Sequence, residues 1–182
     1  AAVPQTLELH EPLSVYDVDN VIDFIAMENY VAQLSRNALF GSTAFGFSVR
    51  DVEGFHQTLN AFEFSGLISD VAEVISDTLA GHQFLMSYGG DGTFVCVTES
   101  GWRPDTERLM DDVNLALSRM ELFNNDGQPL EPRVSAGSAV RMIWKSGSAV
   151  MDALGEAHSS AKVSAEKYER NRHDFWLTEQ RA

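Results

Sequence analysis

Phe84-Leu85-Met86-Ser87-Tyr88-Gly89-Gly90-Asp91-Gly92-Thr93-Phe94-Val95-Cys96-Val97 is the stretch whose reading decides the fold. Two apolar runs of strand length flank Gly89-Gly90-Asp91-Gly92, and Gly and Asp supply the left-handed backbone that a tight hairpin turn needs. Outward from this hairpin, Leu67, Val71, Val74, Ile75 and Leu79 recur at helical spacing up to Gly81. Before them, Phe45 to Val49 reads as a buried strand, and Val21, Phe24, Ile25, Met27, Val31 and Leu34 mark a helix that follows Asp17. Beyond the hairpin, Leu109, Val113, Leu117 and Met120 form a helical face after Pro104-Asp105, and residues 124–129 are a loop by composition. Val134 to Ile143 reads as a strand. Val150 to Tyr168 reads as a helix with small residues at Ala153, Ala157, Ala161 and Ala165, and Asp174 to Thr178 as a last strand. The order α-β-α-β-β-α-β-α-β predicts an α+β sandwich in which helices cover one face of an antiparallel sheet.

The 182 residues suit one compact domain that buries a sizeable core, and 44% hydrophobic with 22% charged residues is the composition of a folded chain. No apolar run is long enough to span a membrane. Ala1-Ala2-Val3-Pro4 carries no signal-peptide pattern and reads as a cut edge. A single cysteine, Cys96, excludes a disulfide framework and fits a reducing compartment; in its apolar strand it reads as packing. The formal charge is −14, and it is uneven. Residues 1–132 carry 5 basic and 21 acidic side chains, net −16, whereas residues 133–182 carry 8 and 6, net +2. Nucleic-acid binding needs a basic surface that releases counterions from phosphates, so it is disfavoured here. His10, His56, His82, His158 and His173 show no paired metal-ligand spacing. Neither a Gly-x-Ser-x-Gly nucleophile turn nor a Gly-x4-Gly-Lys-Ser/Thr phosphate loop is present.

Tyr88-Gly89-Gly90-Asp91-Gly92-Thr93 resembles the signature loop of GGDEF domains, the diguanylate cyclases of bacterial second-messenger signalling. Asp51-Val52-Glu53-Gly54-Phe55-His56-Gln57 is similar to the family's Asp-Ile-Asp-x-Phe-Lys segment, and Val134-Ser135-Ala136-Gly137-Ser138-Ala139 to its Val-Ser-Ile-Gly-Val-Ala strand. Residues 157–172 resemble its Ala-Asp-x-Ala-Leu-Tyr-x-Ala-Lys-x-x-Gly-Arg-Asn helix, chiefly at Ala157, Ala165, Arg170 and Asn171. The resemblance covers residues 17–178, with 1–16 as an N-terminal extension or linker and 179–182 as a tail. Order and spacing carry it more than any one motif.

The resemblance implies a ferredoxin-like, nucleotidyl-cyclase palm sandwich. Its central, mainly antiparallel sheet would be flanked by helices, with the Gly-Gly-Asp-Gly loop on a hairpin. It implies Mg²⁺ or Mn²⁺ held by Asp51, the Val52 carbonyl and Asp91, since hard cations take oxygen ligands. Read by themselves, Asp51 equally caps a helix and Asp91 equally forms the turn. Gly89 and Gly90, which supply positive φ and allow close approach, and Arg170 would hold nucleotide phosphates.

Four positions depart from the family. Gly92 stands where the signature acid is expected, Leu59 and Ser65 where Asn and Asp read guanine, and Glu166 where a lysine holds phosphate. Ala80-Gly81-His82-Gln83 replaces the inhibitory-site Arg-x-x-Asp. The expectation is therefore a degenerate, cytoplasmic GGDEF domain, without cyclase chemistry, in a larger signalling protein that is either soluble or membrane-anchored. It would act as a regulatory or dimerisation module whose partner is another copy, another GGDEF domain, or a phosphodiesterase or sensor domain of the same chain. The alternatives are a divergent metal-dependent nucleotidyl cyclase and a non-catalytic GTP or ATP sensor.

Overall fold

The computed structural model describes residues 18, 20–33, 41–142 and 147–181. The elements run β1 (Val21–Ile22), α1 (Phe24–Gln33), β2 (Thr43–Val49), α2 (Val52–Thr58), α3 (Ala61–Leu79), β3 (Phe84–Tyr88), β4 (Thr93–Thr98) and α4 (Thr106–Ser118). They continue as β5 (Leu122–Phe123), β6 (Pro129–Leu130), β7 (Val134–Ala136), β8 (Val140–Arg141) and α5 (Gly147–Arg181). The main sheet has the order β1-β3-β4-β2-β7, with β8 pairing the other half of β2. It is antiparallel except where β1 runs parallel to β3.

The expected hairpin is β3–β4, in the register Phe84↔Thr98 to Tyr88↔Phe94. Helices cover both faces of the sheet, where the sequence predicted one. All seven residues of β2 are consequently buried, which is why its apolar run shows no polar alternation. On one face Phe45, Phe47, Phe94, Cys96 and Met86 pack with Leu67, Val71 and Ile75 of α3 and Val113 and Leu117 of α4. On the other, Ala44, Val95 and Val97 pack with Met27 and Val31 of α1 and Ala153, Leu154 and Ala157 of α5. Cys96 is fully buried and burial pushes its thiol pKa far up, so its role is packing.

The small-residue stripe on α5 is what brings that helix close. A Cβ at Gly46 of β2 would lie 3.0 Å from the Ala161 Cβ and 3.0 Å from the Ala157 carbonyl oxygen. Only glycine facing alanine permits that separation.

The structure differs from the sequence reading at five places. A two-residue strand, β1, precedes the first helix, and the stretch after Arg50 divides into α2 and α3. The break falls at Asn60, whose side chain accepts from the Glu63 N–H (2.8 Å) while Glu63 Oε1 accepts from the Asn60 N–H (3.0 Å), a complete capping box. Residues 124–129 are largely the turn of a small hairpin, β5–β6, and the strand expected over 134–143 is split into β7 and β8. The last strand, expected at Asp174 to Thr178, is instead the end of α5. No glycine or proline follows Gly155 in the sequence, so no helix-breaking residue stops the helix there. Phe175 and Trp176 are 67% and 56% exposed there, with no sheet edge against them. Residues 1–17, including Asp17 and His10, as well as Leu34, Ile143 and Ala182, lie outside the described residues. Among the described residues no helix is long and apolar enough to cross a membrane.

Candidate functional site

The β3–β4 turn and the β2–α2 junction lie at the same end of the sheet, and α5 passes beside both. Between them is a cleft of about 360 Å³, lined by Ser48, Val49, Asp51, Val52, Glu53, Asp91, Lys162, Ala165, Glu166 and Glu169. The cleft brings Asp51, Val52, Asp91 and Glu166 together. It leaves out Leu59, Ser65 and Arg170, and its walls do not include Gly89 or Gly90.

The turn is held from within. The Thr93 N–H donates to the Gly90 carbonyl (3.0 Å), the Gly89 N–H to the Thr93 carbonyl (2.8 Å), and the Gly92 N–H to the Tyr88 hydroxyl (2.8 Å). The Val49 N–H donates to the Gly92 carbonyl (2.8 Å), which ties the turn to β2. Buried Ser48 and Thr93 share a hydroxyl hydrogen bond of 2.9 Å, giving Thr93 a structural partner.

Gly90, Asp91 and Gly92 have φ of 90°, 52° and 71°. Gly89 is not left-handed, contrary to the expectation that it supplies positive φ. Its glycine is required by crowding: a Cβ there would sit 2.6 Å from the His158 Cδ2. His158, on α5, accepts an edge-on contact from Phe24 (6.2 Å between rings) and hydrogen-bonds the Gly89 backbone. Burial, the largest influence, pushes the His158 pKa down, with the Gly89 hydrogen bond opposing it.

Asp91 and Asp51, the two carboxylates expected at the metal, are both left-handed, with φ of 52° and 53°. Asp51 occupies the N-cap position of α2, but its side chain makes no capping hydrogen bond. Its carboxylate instead folds over Gly54, where a Cβ would meet Asp51 Oδ2 at 2.4 Å. Asp91 Oδ2 accepts from Lys162 Nζ at 3.1 Å, an ion pair with both side chains about 40% exposed. Among the described residues, no group of three or more His, Cys, Asp or Glu side chains is gathered as a metal-ligand set.

Leu59 is 7% exposed and belongs to the core cluster with Phe64 and Leu67. Ser65 is half-buried on α3, while Glu166 and Arg170 are exposed on α5. At Gly92, a Cβ would meet Val52 Cγ2 at 3.0 Å and Val49 Cβ at 3.1 Å, so two valine side chains crowd this position. Arg50 locks α5 from the far side. Its guanidinium lies 3.7 Å from the Tyr168 ring centroid, and its Nε donates to Ser135 Oγ (2.8 Å).

The structure adds His158 and Lys162 to the site. They stand one helical turn apart beside the alanine stripe, at the spacing that places two side chains on one face. That spacing was the available signal.

Comparison with solved structures identifies the arrangement. The chain is similar to the GGDEF domain of FimX from Pseudomonas aeruginosa, with a TM-score of 0.61 and 14% identity over 79% of this chain and 86% of that one. It is similar to the GGDEF domain of DgcB from Caulobacter crescentus, solved in complex with c-di-GMP, with a TM-score of 0.63 and 16% identity over 83% and 84% of the two chains. A third neighbour is the diguanylate cyclase SiaD of Pseudomonas aeruginosa, solved with its activator SiaC, with a TM-score of 0.61 and 13% identity over 91% of this chain and 63% of that one. No family model and no curated protein matches the sequence. The chain has the fold of a GGDEF domain.

Proposed function

We propose that this domain is a GGDEF-fold module without cyclase activity, working through protein contacts as a regulatory or dimerisation element of a bacterial cyclic-dinucleotide signalling protein. The observation that carries this reading is the burial of Leu59. At the position matched to guanine recognition, the side chain is a core residue packed with Phe64 and Leu67. A leucine offers no hydrogen bond to a purine edge, and an unpaired base edge costs about 1–3 kcal/mol of binding.

The phosphate side supports the same reading. Glu166 lines the cleft where the family has a lysine, so a triphosphate meets an additional negative charge. Gly92 leaves no acid to activate an attacking hydroxyl, and Val49 and Val52 crowd the space such a side chain would need. Arg170 remains in sequence but is outside the cleft walls. Solved neighbours joined to an activator or preceded by a coiled coil support a role through protein partners: another copy, another GGDEF domain, or a phosphodiesterase or sensor domain of the same chain.

The test is a titration with GTP and ATP at millimolar concentration with Mg²⁺ or Mn²⁺, read by thermal shift and followed by product analysis. A ligand at 100 times its Kd stabilises the fold by about 2.7 kcal/mol, which a melting curve resolves. The expected result is no shift and no cyclic dinucleotide. A cyclic dinucleotide that disappears on Asp91→Ala or Asp51→Ala would establish the divergent cyclase instead. A nucleotide-dependent shift without product would establish the sensor. A partner domain whose activity is unaltered when this domain is deleted from the full-length protein would remove the regulatory role.

A further inference from the structure

The metal side of the cleft carries a separate inference. A divalent cation in this fold needs carboxylate and carbonyl oxygens that are free to turn toward it, at 2.0–2.6 Å for Mg²⁺ or Ca²⁺. Here Asp91 Oδ2 is engaged by Lys162 Nζ at 3.1 Å, and the Asp51 carboxylate is folded over Gly54. The residues present do not fit a bound divalent ion.

We infer that the Lys162 ammonium is the resident cation of this cleft, standing on Asp91 in place of a divalent metal. The position of Lys162 is set by packing. Ala157 and Ala161 press α5 against Gly46, and the next residue on the helix is Lys162. One turn earlier, His158 lies on Gly89, so two consecutive turns of α5 hold the loop at both ends of its Gly-Gly-Asp segment. The other charged residues lining the cleft are acidic: Asp51, Glu53, Glu166 and Glu169. The ammonium offsets one of these charges and engages Asp91 with its donors, so a divalent ion reaching Asp91 has to displace it. The loop geometry is then independent of metal, as suits a module kept for its shape.

This inference deepens the non-catalytic reading but rests on a different contact, and the two fail separately. Mn²⁺ alone is the probe, titrated into the intact protein and followed by the paramagnetic resonance of free Mn²⁺, with melting temperature recorded with and without a chelator. The wild-type protein leaves the free Mn²⁺ signal undiminished, and chelator leaves its melting temperature unchanged. Lys162→Gln tightens Mn²⁺ binding by at least about tenfold, because the repelling charge is gone. Asp91→Asn added to Lys162→Gln abolishes the gain. Lys162→Arg, which keeps the charge, behaves as wild type and controls for folding. Equal Mn²⁺ binding by wild type and Lys162→Gln, whether both bind or neither does, overturns the inference. It would leave the nucleotide titration above unaffected.

Discussion

The two faces of the sheet solve the same packing problem in opposite ways. The face under α3 and α4 is filled by large side chains, with Phe45, Phe47 and Phe94 fully buried among Leu67, Val71 and Ile75. Under α5, Gly46 faces Ala157 and Ala161 so closely that a Cβ on it would lie 3.0 Å from the Ala157 carbonyl oxygen and from the Ala161 Cβ. Large side chains hold helices away from a sheet and give stability through buried area. Small ones let backbone approach backbone, with little area per residue but close control of position. The contacts of α5 with the loop and the cleft lie on the close-packed face: His158 on Gly89, Lys162 on Asp91, and Glu166 in the cleft wall. One face makes the domain stable; the other fixes what its loop touches.

That division can be broken most severely at Phe47. Phe47→Ala empties the centre of the large-residue face and is expected to cost about 3–5 kcal/mol, read as a lower urea midpoint. Its Lys162–Asp91 contact should survive, so the Mn²⁺ response of the folded protein stays that of wild type. Ala161→Leu attacks the other face. Overpacking against Gly46 is expected to cost about 1–3 kcal/mol, and by lifting α5 it should loosen the ion pair so that Mn²⁺ binding appears without touching Lys162. A Phe47 variant that gains Mn²⁺ binding, or an Ala161 variant that does not, would show that the faces are not separable in this way.

A smaller effect is expected from pH. Burial holds the His158 pKa below that of an unfolded histidine, so the unfolded chain takes up the proton first. The stability due to neutral His158 is complete above the unfolded value of about 6.5 and is lost as pH falls through that value toward the lower folded one. Melting temperatures measured across this window should fall more steeply for wild type than for His158→Gln; parallel curves would place the pH dependence elsewhere. The smallest expected effect is the stability change in Lys162→Gln. A half-exposed ion pair contributes about 0–1 kcal/mol, so its urea midpoint should hardly move. A loss well beyond that would mean the pair supports the fold as well as occupying the cleft.

Much of the fold is legible in residue pattern because it depends on local preferences. The hairpin follows from Gly90, Asp91 and Gly92, whose positive φ values are what a turn of this kind requires. The α5 stripe of Ala157, Ala161 and Ala165 announces a close helix–sheet contact before any partner is known. Phe175-Trp176-Leu177 has strand-like composition, yet with no glycine or proline after Gly155 the helix runs through it. Gly89 was assigned a conformational role, yet its reason is the imidazole resting on it, a contact 69 positions away in the chain.

The sequence by itself determined the α+β class and the Gly-Gly-Asp-Gly turn, and its resemblance to GGDEF domains is what singles out Leu59, Gly92 and Glu166 as departures from the expected pattern. These are properties of residue type and local spacing, and no tertiary contact is needed to read them. Tertiary structure alone decided that Leu59 is in the core, that Asp51 turns onto Gly54, and that Lys162 reaches Asp91. Each depends on how closely one element lies against another, a distance set by packing across the sheet that no local pattern encodes.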